Sequence, residues 1–250
     1  TQDNFFDASD NLYSLSGEVY KTTPLGQISR IAGNREGATG LYSDDTNLAL
    51  ETNFINPMAI AMDAQSNLYY AEQCKIKRID ALSGVVTTLL GLGTCIDSGD
   101  GGFAVDAEAN YILDMIVDTN DYLYFTTGVL RRVNLQTGIV ERILSFGPDA
   151  GDGGHYSLAT SAEIPSVTVD DLNNVYVVTA DNIRKIDMST GIIDNFASGS
   201  FSSITRPRLD FDGFGFLYMN VNCQILRFDS FGSSSVFAGT GTCSEPVNGL

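Results

Sequence analysis

One pattern occurs five times along the 250 residues of this chain. A repeat constrains a fold more than composition does, because each copy must be a unit that buries its apolar faces against the next. The copies centre on Asn11-Leu12-Tyr13, Asn67-Leu68-Tyr69, Tyr122-Leu123-Tyr124, Asn174-Val175-Tyr176 and Phe216-Leu217-Tyr218. An aspartate lies five residues before each middle residue: Asp7, Asp63, Asp118, Asp170 and Asp212. A cation follows nine or ten residues later: Lys21, Arg78, Arg132, Lys185 and Arg227. Next come a turn glycine (Gly26, Gly84, Gly138, Gly191, Gly232) and, seven residues on, a small residue (Gly33, Gly91, Ser145, Ser198, Gly239).

Within a copy the apolar residues follow strand period. In the second copy Ala59–Met62, Leu68–Ala71, Ile76–Ile79 and Val85–Leu90 are short apolar runs separated by turn clusters. Four such strands make an antiparallel meander, apolar on both faces, which has to stack on its neighbours as a propeller blade does. The expected fold is an all-β propeller in one domain, 1–250. Its five four-stranded blades fall near 3–33, 58–91, 113–145, 165–198 and 206–239, followed by a tail, 244–250.

The cysteines keep to the same slots. Cys74 and Cys223 each lie five residues after the tyrosine of their copy, and Cys95 and Cys243 each lie four after its small residue. The slots predict Cys74–Cys95 and Cys223–Cys243 disulfides, each at one end of its meander, and hence an oxidising, extracellular setting. A four-cysteine zinc site is the competing reading, but its closely spaced ligand pairs are absent.

Net charge is 14 − 31 = −17. Such a surface repels phosphate backbones, so nucleic acid is not an expected partner. No apolar run approaches the roughly 18 residues of a membrane span, so no membrane insertion is expected.

The ordered segments Asn56-Pro57 through Met62-Asp63, Asn67-Leu68-Tyr69, Ile76 to Asp80 and Gly84 to Gly91 resemble the NHL-repeat family of β-propellers. The linker Ser98-Gly99-Asp100-Gly101-Gly102, echoed by Ala150-Gly151-Asp152-Gly153-Gly154, belongs to the same resemblance. It covers about residues 3–243 and implies a propeller, usually of six blades where five are counted here. Enzymes on related propellers use richer ligand sets than a chain with one histidine, His155, and no Gly-x-Ser-x-Gly elbow.

The recurring aspartate and cation read as a structural ion pair repeated by symmetry, the alternative being a charged channel. No cofactor is implied. Calcium is left open by the loop carboxylates Asp97, Asp100, Asp106, Asp149 and Asp152, although an EF-hand spacing is missing. The long linkers 34–55, 92–110 and 146–164, with Tyr42, Phe103, Tyr111, Phe146 and Tyr156 in or near them, form the expected contact face. The expectation from sequence is a secreted, non-enzymatic interaction module, its partner a protein and its form a head-to-tail filament of copies of itself. Glycan or small-ligand binding, and a propeller hydrolase or lyase, are the alternatives.

Overall fold

A computed structural model of the chain describes residues 3–34, 45, 47–54, 56–199, 201 and 207–242. Tyr42, Cys243 and the tail 244–250 lie outside the described residues.

The architecture is that of a five-bladed β-propeller, each blade a four-stranded antiparallel sheet in sequence order. The blades run Asp3–Phe6 to Ile28–Ala32, Pro57–Met62 to Val86–Leu90, Asp114–Val117 to Val140–Phe146, Val167–Val169 to Ile192–Ser198, and Leu209–Phe211 to Ser234–Gly239. The chain forms two compact units, Thr1–Ile143 and Leu144–Leu250. Among the described residues no helix is long and apolar enough to cross a membrane.

Strand period explains the stacking. In the inner strand Pro57–Met62, Ile60 packs into a core with Tyr13, Leu15 and Val19 of the first blade. Its neighbours Ala59 and Ala61 face the opposite way, into a core with Met115, Leu123 and Phe125 of the third blade. Alternate residues point to opposite faces, so the second blade presents one apolar face to the first blade and the other to the third. Tyr176 likewise joins Leu209, Leu217 and Met219 of the fifth blade. Burying each such side chain contributes about 1.5–3 kcal/mol.

The long linkers differ from the expected contact loops. Their described parts lie on the outer edge of the blade that follows and donate a backbone N–H to the far hairpin: Ala49 to Gly84, Ala104 to Gly138 and Tyr156 to Gly191, all at 2.8 Å. Bridges Leu48 to Val85 and Phe103 to Ile139, with the two-residue strand Gly154–His155 on Ile192 and Ile193, extend the cover. The linkers therefore protect three sheet edges that would otherwise expose backbone hydrogen-bonding groups.

Candidate functional site

The anchor residues form a repeated structural unit. Asp63 accepts the backbone N–H groups of Gln65 (3.0 Å) and Asn67 (2.8 Å) through Oδ1, and the Asn67 amide (2.7 Å) and Tyr69 hydroxyl (2.9 Å) through Oδ2. Asp170 and Asp212 bind their turns and Tyr176 and Tyr218 in the same way, at 3.1 and 3.0 Å to the hydroxyls. Asp7 and Asp118 hold the corresponding turns through the backbone N–H groups of Asn11 and Tyr122.

Each cation stands across the strand pair from its tyrosine, as in Tyr13 with Lys21, Tyr124 with Arg132 and Tyr176 with Lys185. The expected aspartate–cation pair occurs only loosely, Lys21 to Asp7 at 4.0 Å. Turn N–H groups reach each carboxylate first, and the cations turn elsewhere. Arg78 pairs with Asp80 and Arg132 with Glu141, while Lys21, Lys185 and Arg227 lie against the rings of Tyr13, Tyr176 and Phe216. Burial pushes the Tyr124 hydroxyl up to about 12 and carries Tyr69 and Tyr176 higher still, with the adjacent aspartates adding to it. The hydroxyls therefore stay neutral donors. Tyr13, Tyr69, Tyr124 and Tyr176 are buried, and Tyr218 is half-buried.

Two fully buried residues, Arg131 and Arg184, went unread in the sequence. Arg131 donates to the carbonyls of Glu108 (2.6 Å) and Ser98 (2.9 Å) and to Asp100 (2.8 Å). Arg184 repeats this on Thr160 (2.6 Å), Ala150 (3.0 Å) and Asp152 (2.7 Å). Each thereby folds one Gly-Asp-Gly-Gly linker onto its blade. The readable signal was an arginine beside the anchor cation in only the two copies preceded by that linker.

The arginines also answer for the acidic loops. Asp97 accepts from Thr127 Oγ1 and the Asn110 N–H, and Asp149 from Thr179 Oγ1 and the Ala162 N–H. Among the described residues no three His, Cys, Asp or Glu side chains converge to hold a metal ion. Cys74 is bonded to Cys95. Cys223 is also disulfide-bonded.

His155 is exposed at the edge of the fourth blade. Its Nδ1 lies 2.8 Å from Ser157 Oγ and accepts the Ser157 N–H at 3.2 Å. The ring stacks on Tyr156 at 4.5 Å, and its Nε2 side rests on Gly191, where a Cβ would collide with it. Phe103 fills the same slot in the preceding linker, above Gly138. On the hairpin side of the second and third blades, opposite the disulfide end, lies a polar groove of about 440 Å³. Its lining includes Asp63, Arg78, Thr87, Leu89, Asp121 and Gln136.

No protein-family model matches the chain, and a search of curated proteins gives no match. Among solved structures, a gluconolactonase from Xanthomonas campestris is similar at 16% identity and TM-score 0.62, over 96% of this chain and 75% of that one. A catalytically inactive histidine-to-alanine variant of virginiamycin B lyase from Staphylococcus aureus is similar at 14% identity and TM-score 0.58, over 98% and 70%. The extracellular domain of a one-component system from B. thetaiotaomicron is similar at 14% identity and TM-score 0.57, over 94% and 27%. The chain thus spans about a quarter of that last protein and roughly two thirds of a streptogramin B lyase. At these identities the likeness is one of fold.

These neighbours correct the expectation of a non-enzymatic structural module. Enzymes, a lactonase and a lyase, recur among the propellers of this kind. One histidine and a missing elbow motif were too narrow a basis for excluding catalysis, since catalytic groups are set by geometry and not by a motif.

Proposed function

We propose that the protein is a propeller enzyme of the hydrolase or lyase class, cleaving a small ester or lactone in an oxidising, extracellular compartment. The observation that carries this reading is the likeness, over 96% and 98% of this chain, to a gluconolactonase and a virginiamycin B lyase. The Cys74–Cys95 disulfide supports the compartment, and the ordered repeat segments support an NHL-type origin for the blades.

Ester hydrolysis and elimination both require a proton to be moved at the reacting atom, and histidine is the side chain most often used for it near neutral pH. This chain has one, His155. Its exposed ring is oriented through Nδ1 by Ser157 and backed by Gly191. In this reading the imidazole takes a proton from the Ser157 hydroxyl, or from a water in its place, and returns it to the leaving oxygen. The test is incubation of purified protein with a panel of sugar lactones, aliphatic lactones and cyclic peptide esters, following proton release and product mass. A mass gain of water marks hydrolysis, and an unsaturated product of unchanged mass marks elimination. Absence of turnover across the panel overturns the reading.

A further inference from the structure

The anchor cation meets a carboxylate in the third and fourth blades but a hydroxyl residue in the first, second and fifth, Ser29, Thr87 and Ser235, and in the second blade a groove lies beside it. In the third blade Arg132 binds the Glu141 carboxylate at 2.8 Å and lies 4.2 Å from the ring of Tyr122. In the fourth, Lys185 stands across from Asp194. In the second blade the residue opposite Arg78 is Thr87, neutral and exposed. Arg78 keeps an ion pair with Asp80 at 2.9 Å and lines the groove, with about a third of its side chain open to solvent. Across the groove Asp121 accepts the Gln136 amide through Oδ2 at 2.9 Å. Leu89 and Leu135, packed against the core beneath, supply an apolar floor.

We propose that this groove is a binding site for a neutral sugar. Its volume, about 440 Å³, falls in the range of small-molecule sites. Among its charged residues Asp63 and Asp121 outnumber Arg78, so an anionic ligand meets net repulsion. An apolar ligand would strip water from these groups without replacing their hydrogen bonds. Adjacent hydroxyls answer both kinds of group, donating to Asp121 and accepting from Arg78, while the carbon face of a pyranose covers Leu89 and Leu135. Asp63 takes no direct part, since both its oxygens are engaged by its own turn and Tyr69. The site is separate from His155 and does not rest on the enzymatic reading.

Saturation-transfer NMR and calorimetric titration test it. The probes are methyl β-D-glucopyranoside, methyl β-D-galactopyranoside and N-acetyl-D-glucosamine, with D-glucuronate as the anionic control. Thr87→Glu installs the carboxylate that the third blade carries as Glu141, and Asp121→Ala removes the opposite wall. The proposal expects at least one neutral sugar to bind with a Kd on the order of 1 mM, and affinity to fall about tenfold or more in each variant with the melting temperature retained. No binding by the neutral probes, tighter binding of glucuronate, or affinity unchanged in Thr87→Glu would each overturn it.

Discussion

The linkers 92–110 and 146–164 fold alike from similar sequences, yet they are held differently. In both, an Asp-Gly-Gly turn is clamped by a fully buried arginine, Arg131 in one and Arg184 in the other. In both, a glycine at positive φ, Gly99 or Gly151, comes so close to Ala107 or Ala159 that a Cβ would lie 2.8 Å from the facing Cα. The first linker has two further ties. Glu108 accepts the N–H groups of Leu92, Gly93 and Thr94, and Cys95 is bonded to Cys74. The second has neither, and places His155 and Ser157 where the first has Phe103 and Val105. The shared arginine thus accounts for the loop shape, and the differences set apart a doubly tied loop from one that carries a histidine and a serine.

The largest effect expected from this comparison is at the arginines. Arg184→Gln leaves the carbonyls of Ala150 and Thr160 and the Asp152 carboxylate without their buried partner, costing roughly 3–5 kcal/mol in denaturant unfolding. Arg131→Gln should cost a similar amount globally. Limited proteolysis should nevertheless cut 146–164 in the first variant well before it cuts 92–110 in the second. Equal cutting of the two linkers would break the distinction.

Next in size is the disulfide. Replacing Cys74 and Cys95 together by alanine opens a loop with a sequence separation of 21 and should lower stability by about 3 kcal/mol. In that background Arg131→Gln should make 92–110 as protease-sensitive as 146–164 becomes in Arg184→Gln. A first linker that stays resistant would mean that Glu108 suffices by itself.

A smaller effect is expected with pH. Burial raises Asp149, but hydrogen bonds from Thr179, Ala162 and Ser161 outweigh it and leave the carboxyl below the ordinary range. A carboxylate lowered in the folded state adds stability at neutral pH, and this is lost as pH falls from about 4 through the folded value. Burial instead leaves Asp118 above the ordinary range, so its ionisation weakens the fold as pH rises through that value. Asp149→Asn should therefore flatten the acid limb of the stability profile, and Asp118→Asn should not. The reverse ranking would contradict the assigned hydrogen bonds.

Much of the fold was legible because the tyrosine and the cation of each copy stand in register on adjacent strands, so their spacing survives as a pattern. The blade limits near 3–33 and 58–91 compare with Asp3–Ala32 and Pro57–Leu90 in the structure. The pairing of aspartate with cation occurs only loosely, as Lys21 with Asp7, because symmetry of charge says nothing about which N–H groups a tight turn brings to a carboxylate. Arg131 and Arg184 were hidden by their neighbours Arg132 and Lys185: in a strand the adjacent residue faces the other way, here onto the carbonyls of the preceding linker. The groove was not readable at all. It depends on Thr87 meeting Asp121 and Gln136 of the next blade, a juxtaposition that no spacing within one copy encodes.

The most direct test lies at His155, where the second linker departs from Phe103 of the first in chemistry while keeping its shape. His155→Phe copies Phe103 of the preceding repeat, so the exposed edge should tolerate it within about 0.5 kcal/mol. On whichever lactone or ester the wild-type protein turns over, kcat/KM should fall by about 10²–10⁴ with an unchanged melting temperature. Turnover that survives intact in this well-folded variant would contradict it.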